Sequence, residues 1–322
     1  MADTARALWI IGNREVELRS ETLAPGDGEV VVETQATGIS RGTEALVFRN
    51  AVPASEADRM RCPLQQGDFP FPVKYGYAAV GRVVDGEPKL KGRDVFVLHP
   101  HQDRFATPEA MAIPVPSDVP SERAVLAANM ETALNVVWDA GIGPGDRVAV
   151  VGAGVVGALA GWLSARIPGT EVVLVDVNPD RAVLAEALGC AFAEPSAAES
   201  GADAVIHASA SAAGLATAIG LAGPEANVVE ASWYGTGEIP VALGGAFHSQ
   251  RLKLVSSQVG QLPAERRPRW THRRRLEAAL RLLAAPELDV LISSETEFSN
   301  LPDRYGAILD HPGTLCHRVR YR

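Results

Sequence analysis

One stretch constrains the fold of this chain more than any other: Val148-Ala-Val-Val-Gly152-Ala-Gly154-Val-Val-Gly157, with Asp176 nineteen residues past the third glycine. An apolar run precedes the glycines, a helical pattern over 155–166 follows them, and a second apolar run, 171–175, ends just before the acid. That is the context a G-x-G-x-x-G turn needs to join strand to helix in a βαβ unit. Gly152 is expected to make the tight turn, Gly154 to let the main chain approach a pyrophosphate, and Gly157 to let helix and strand pack closely. Val155 and Val156 open the helix, whose unpaired N–H groups and dipole favour an anion. Asp176 is placed to accept hydrogen bonds from ribose hydroxyls and to repel a 2′-phosphate, so NAD(H) is favoured and NADP(H) remains open. A glycine turn without a ligand is the competing reading, and the complete context weighs against it.

The texture around this motif extends the reading. Apolar runs over 147–151, 171–175, 204–208 and 227–230 alternate with helical patterns over 155–166, 179–188 and 212–221. Such alternation implies right-handed βαβ units and a doubly wound parallel sheet. Upstream, short alternating pieces over 7–11, 16–18, 29–33, 77–84, 94–98 and 111–114 are broken by Pro25-Gly26, the prolines of 69–72 and Gly92, a pattern of an irregular β-barrel or sandwich. A helix over 121–140 leads from one texture to the other, and an Arg-rich helix is expected over 265–283. The tail holds a strand (290–293), a helix (301–309) and a last strand (316–321) that an interrupted sheet domain could reclaim. With 322 residues, the chain is expected to form two domains, 1–122 completed by 286–322 and 123–285.

Composition closes off several functions. Thirty Lys and Arg stand against 39 Asp and Glu, a net charge of −9, which argues against nucleic acid because phosphate backbones need a basic face. Cys62, Cys190 and Cys316 are too few and too far apart for a disulfide framework or a CxxC metal cluster, so a reducing cytosol is expected. No apolar run approaches about 18 residues, and the opening MADTARALWI lacks a basic start and cleavage site. Neither export nor a membrane is expected.

The chain resembles the medium-chain dehydrogenase/reductase superfamily over nearly its whole length. The resemblance rests on Pro25-Gly-Asp-Gly-Glu-Val-Val-Val-Glu33, Gly38-Ile-Ser-Arg-Gly-Thr-Glu44, residues 76–81, Ala140-Gly-Ile-Gly-Pro-Gly-Asp-Arg-Val148 and the glycine motif itself. It implies an α/β protein with a GroES-like β-barrel domain and a Rossmann domain, and a small-molecule oxidoreductase using a nicotinamide cofactor. By the same analogy a homodimer is expected. Aligned from the flanking glycines, the zinc-ligand positions of metal-dependent members fall on Ser40, Tyr77 and approximately Ala128, none of which binds zinc well. The structural zinc lobe is read as deleted between Leu98 and Met111. A zinc-free member follows, and the loop 40–44 is more similar to the hydroxyethyl bacteriochlorophyllide dehydrogenase branch than to quinone or enoyl reductases.

Without the metal, hydrogen-bond donors must polarise a carbonyl. By the resemblance, Tyr77 points toward the nicotinamide as a donor, Ser40 and Thr43 relay a proton, and Arg41 holds a cofactor phosphate. The bland alternatives are a space-filling phenol, hydroxyls bonded to nearby backbone, and a surface ion pair. Glu131 is either a buried acid of raised pKa or a helix-start carboxylate. His99 and His101 are either an acid–base pair or plain surface residues. Ser232 and residues 256–260 follow strands whose ends frame the nicotinamide in relatives. Trp233 and Tyr234 are a substrate wall or core packing, and the basic run 266–275 is a solvated face or an anion site. The transfer is expected at a carbonyl/alcohol carbon in an interdomain cleft. Alternatives are reduction of an activated C=C bond as in a quinone or enoyl reductase, a non-catalytic dinucleotide-binding protein, and a metalloenzyme using His99, His101 and Glu131.

Overall fold

A computed structural model describes residues 4–322. Met1 to Asp3, the start of the stretch read for an export signal, lie outside the described residues. The chain divides into two compact units, Met1–Ala128 with Leu280–Arg322, and Asn129–Ala279. The cuts fall a few residues from the 122/123 and 285/286 boundaries expected from sequence.

In the unit Asn129–Ala279, six parallel strands lie in the order Ala191–Ala193, Glu171–Val175, Arg147–Val151, Ala202–His207, Ala222–Glu230 and Lys253–Ser256. The first strand in the chain is central, so the next two build outward on one side and the remaining three on the other. The order reverses beside the C-terminal end of Arg147–Val151, and that reversal is where a doubly wound sheet leaves a crevice for a ligand. Val150, Leu174, Val205, Ile206 and Val228 are all fully buried. Helices cover both faces, which explains why these strands read as continuous apolar runs rather than alternating ones. On one face Leu215, Ala218 and Ile219 of the helix Ala212–Leu221 join the core of Val151, Val205 and Val228. On the helix Val155–Ser164, a Cβ added to Gly161 would stand 2.5 Å from Leu174 Cδ2, so glycine is what permits that close contact.

The other unit has a seven-stranded sheet built on the long strand Glu29–Ser40. That strand pairs antiparallel with Ala79–Asp85, Arg104–Pro108 and Cys316–Arg320, and Ile292–Glu297 runs parallel beside the last of these. The tail is thus reclaimed by the sheet domain. A smaller four-stranded sheet contains Thr4–Gly12 and Glu15–Thr22. One core joins Leu8, Ile10, Ile39, Phe48, Tyr75, Leu301, Tyr305 and Val319. Burying each such large side chain contributes about 1.5–3 kcal/mol.

Some local expectations are corrected. The Arg-rich helix spans His272–Leu282 and does not begin at 265, because Pro268 lacks a backbone N–H and disfavours a helical conformation in the residue before it. The strand expected over 290–293 is Ile292–Glu297, since Pro286–Leu291 forms 3-10 turns. A helix not read in the sequence, Arg41–Phe48, carries several candidate site residues, and the strand Arg104–Pro108 lies within the segment read as shortened.

Candidate active site

The glycine turn has the geometry its spacing implies. Gly152 has φ +103°, and a Cβ there would stand 2.6 Å from the Ser209 amide nitrogen. A Cβ on Gly157 would stand 1.9 Å from the Gly152 carbonyl oxygen, whereas one on Gly154 would meet nothing within 4 Å. Gly152 and Gly157 are therefore required by packing, and Gly154 faces open space at the start of the helix Val155–Ser164. The first-turn N–H groups of a helix, here those from Val155 and Val156 onward, have no intrahelical acceptor and are suited to a phosphate. Asp176 sits at the end of Glu171–Val175. Its Oδ2 accepts from the Ala153 N–H at 2.7 Å and its Oδ1 from the Asn178 N–H at 2.9 Å. These bonds tie the acid to the glycine turn and leave further lone pairs on both oxygens for ribose hydroxyls.

In the β-sheet unit, three candidate residues converge. Ser40 ends the strand Glu29–Ser40 and caps the helix Arg41–Phe48, which Arg41 opens. The Tyr77 phenol is hydrogen-bonded by Ser40 and Thr43. Burial, and then the negative charge of Glu44, push its pKa well above the usual phenol value, so Tyr77 is a protonated donor at neutral pH. The centre of this cluster was not recognised in the sequence. Glu44 is fully buried and accepts from the Ser40 N–H at 2.7 Å, from the Tyr305 hydroxyl at 2.8 Å and from His101 Nε2 at 3.0 Å. His101 Nδ1 lies 2.7 Å from the Thr37 hydroxyl, itself 3.1 Å from the Tyr321 hydroxyl. Three acceptor bonds are what make a carboxylate tolerable at full burial.

Both histidines are buried, so the surface reading is corrected. His99 stacks on Phe105 at 3.7 Å, its Nδ1 bonds the Pro100 carbonyl at 2.9 Å, and burial drives its pKa down to about 3. A neutral imidazole held this way is not a general acid at neutral pH, which removes the acid half of the reading for His99. Glu131 is buried and burial raises its pKa, but its Oε1 accepts from Arg275 Nε at 3.0 Å. Arg275 is 1% exposed and also donates to Asn135 Oδ1 and the Val259 carbonyl, both at 2.5 Å. Glu131 is thus the buried acid of raised pKa of the two readings, and it is held in an ion pair with Arg275. Of the basic run, Arg267, Arg269, Arg273 and Arg274 are exposed, as a solvated face requires, and Arg275 alone is interior; Arg273 pairs with Glu277, and Arg266 and Arg274 lie over Trp138 and Trp270.

The donor set does not fit zinc. Ser40 and Tyr77 offer a hydroxyl and a protonated phenol, Ala128 offers no side-chain donor, and the nearby Cys62 thiol is buried, pushed up to about 12, and bonded to the Gly76 carbonyl. Among the described residues no group of three or more His, Cys, Asp or Glu is arranged to hold a metal ion, and the proposed trio of His99, His101 and Glu131 is engaged with other partners.

A second polar cluster lies past the strands Ala202–His207 and Ala222–Glu230. His207, fully buried, places Nδ1 2.8 Å from Glu230 Oε2 and Nε2 2.6 Å from Ser209 Oγ. Glu230 also accepts from the Ser232 N–H and the Tyr234 hydroxyl, both at 2.8 Å. Burial works to raise the pKa of Glu230, but His207, the Ser232 amide and Tyr234 outweigh it and keep the carboxylate ionised. Ser232 Oγ accepts from the Ala210 N–H at 3.0 Å. Tyr234 stacks on His207 with ring centroids 6.4 Å apart, and Trp233 is half-buried. Farther along, Ser257 donates to Asp139 at 2.6 Å. His207 and Glu230 had no local signal, since they are neighbours only across the sheet.

No protein-family profile matches the chain. D-guloside 3-dehydrogenase of Escherichia coli K12 is 27% identical over 319 residues, covering 88% of this chain and 90% of that protein. A chain of Sinorhizobium meliloti described as a zinc-binding dehydrogenase and bound to NADP superposes with a TM-score of 0.78 at 19% identity, over 99% of both chains. A chain of Escherichia coli CFT073 described as a short chain alcohol dehydrogenase and complexed with NADH superposes with a TM-score of 0.75 at 18% identity, over 98% of this chain and 99% of that one. These relatives and structural neighbours are named as dehydrogenases, and the chain has the fold of the structural neighbours, a GroES-like β domain and a Rossmann domain.

Proposed function

We propose that this protein is a zinc-independent, NAD(H)-linked oxidoreductase that moves a hydride between nicotinamide C4 and a carbonyl/alcohol carbon. The observation that carries the reading is the glycine turn: two glycines forced by packing, one left open at a helix N-terminus, and Asp176 clamped beside them. Gly152, Gly154, Val155, Val156 and Gly157 would hold the diphosphate, and Asp176 the adenosine ribose. Arg41 at the head of its helix would meet a cofactor phosphate, and Ser232 would lie toward the nicotinamide. When bound, the nicotinamide supplies or accepts the hydride. Asp176 favours NAD(H) because a 2′-phosphate beside it would meet a carboxylate.

Tyr77 takes the part a metal plays elsewhere. Its phenol donates a hydrogen bond to the substrate oxygen and, as negative charge develops there during reduction, gives up its proton. Ser40 and Thr43 stabilise the phenolate left behind, and return of a proton through these hydroxyls resets the site. Glu44 opposes that phenolate, so the arrangement favours carbonyl reduction near neutral pH and alcohol oxidation at alkaline pH.

Support for a secondary alcohol as substrate comes from the relative that acts at the 3-position of a guloside, and the hydroxyethyl group suggested by the loop 40–44 is also one. We place the protein in the cytosol as a homodimer; the outer strand Lys253–Ser256 is paired on one side only among the described residues, which leaves an edge for a partner. The test is reduction by 4-deuterated NADH of ketone, 3-ketoglycoside and enone panels with chelator-treated protein. Deuterium on a carbinol carbon supports the reading. Label delivered only to an alkene carbon replaces it with an enoyl or quinone reductase, and binding without turnover replaces it with a non-catalytic dinucleotide protein.

A further inference from the structure

The sheet order fixes how a dinucleotide must cross the unit Asn129–Ala279. Asp176 lies past Glu171–Val175, the glycine turn past Arg147–Val151, and Ser209 past Ala202–His207, and all three strands are parallel neighbours in that order. A dinucleotide with its adenosine ribose on Asp176 and its diphosphate at Gly154 therefore carries its second ribose toward Ser209. The approach is close, since the Ser209 amide would touch a Cβ on Gly152.

Ser209 belongs to a hydrogen-bonded chain that runs through His207 to Glu230. The ionised Glu230 can only accept, so His207 Nδ1 donates to it at 2.8 Å. In the neutral tautomer Nε2 is a bare acceptor, and the Ser209 hydroxyl, 2.6 Å away, is its donor. Ser211 Oγ, which accepts from the Gly214 N–H, stands 3.0 Å from Ser209 Oγ and fills one of its two lone pairs. One lone pair remains. Glycine at 214 leaves room for this arrangement, because a Cβ there would stand 2.0 Å from Ser209 Oγ and 2.8 Å from His207 Nε2.

We propose that Ser209, oriented through His207 by Glu230, is an acceptor for a hydroxyl of the nicotinamide-side ribose, with Glu230 and His207 as positioning residues. The inference deepens the dinucleotide reading and rests on it. It assigns the buried Glu230–His207 pair a purpose beyond packing: it fixes the polarity of a serine that would otherwise offer a rotating hydroxyl.

Three ligands separate the possibilities by calorimetric titration of the full chain: NADH, ADP-ribose, which keeps the second ribose without the nicotinamide, and ADP, which lacks both. Ser209→Ala is expected to weaken NADH and ADP-ribose by roughly fivefold to tenfold, the scale of one hydrogen bond, and to leave ADP unchanged. Unchanged ADP binding also shows that the variant is folded. Glu230→Gln is expected to produce the same pattern, because an amide no longer enforces the tautomer of His207. Equal weakening of ADP, or ADP-ribose binding as tight as that of the unaltered protein, would overturn the assignment. If the unaltered protein binds none of the three, the dinucleotide reading fails and this one with it.

Discussion

Replacing Arg275 with Met would remove the guanidinium that holds together one side of the unit Asn129–Ala279. The guanidinium is 1% exposed and makes three hydrogen bonds, to Glu131, Asn135 and the Val259 carbonyl. Met fills much of the volume, so the cost is electrostatic: Glu131 becomes a buried carboxylate with no cation, and two further acceptors lose their donor. Breaking a buried pair from one side costs about 3–5 kcal/mol, and for a unit of this size each kcal/mol lowers the melting temperature by about 2–4 °C. A fall of about 6–20 °C at pH 7.5 is expected in calorimetry. The pH dependence has a definite sign. Burial already raises the pKa of Glu131 while Arg275 lowers it, so losing Arg275 raises the folded-state value further. A carboxyl whose folded pKa is raised adds stability fully below its unfolded pKa, about 4.3, and that stability is lost as pH climbs through the folded value. The gap between variant and parent should therefore be smaller at pH 5 than at pH 8. The pair Glu131→Leu, Arg275→Met should recover at least half of the loss, because no uncompensated charge remains. A single variant within about 1 kcal/mol of the parent, or a double variant no better than the single, would refute the reasoning.

Three other substitutions probe the site. Asp176→Ala should weaken NADH by roughly tenfold to a hundredfold, the loss of charge-assisted hydrogen bonds of about 1.5–3 kcal/mol, while NADPH weakens less or improves; equal effects in a fluorescence titration would remove the selectivity reading. Tyr77→Phe should lower kcat for carbonyl reduction by about 10²–10⁴-fold with NADH affinity intact, and a change of less than threefold would exclude Tyr77 as the donor. In the oxidation direction the unaltered protein should gain rate steadily up to pH 10, because the Tyr77 pKa is raised by burial and Glu44; a plateau below pH 8 in the kcat profile would contradict that. Gly157→Val should abolish nucleotide binding, since its Cβ would lie 1.9 Å from the Gly152 carbonyl, and retained binding in the same titration would show that the turn is not the cradle.

What was readable in the sequence was local. Gly152, Gly154, Gly157 and Asp176 announce themselves because one strand–turn–helix unit sets their spacing, and the continuous apolar runs announce a sheet covered on both faces. Contacts made across the fold leave no such trace. Glu44 and His101 are 57 positions apart, and His207 meets Glu230 only because parallel strands bring them into register. The helix Arg41–Phe48 is short and includes Gly42, so its periodicity is brief and its helix propensity weak. Arg275 was hidden among neighbouring arginines, although a signal existed. It lies next to Leu276 and one turn before Ala279, both buried, on the inward stripe of its helix. Tyr77, Ser40 and Thr43 were found through the resemblance, and their joint geometry came only with the structure.

The most direct test of the central claim is titration of chelator-treated protein with NADH and with NADPH, followed by intrinsic Trp fluorescence. Saturable binding without metal, tighter for NADH than for NADPH, is the expected result. Failure to bind either nucleotide at millimolar concentration, or binding that returns only when zinc is added, would contradict it.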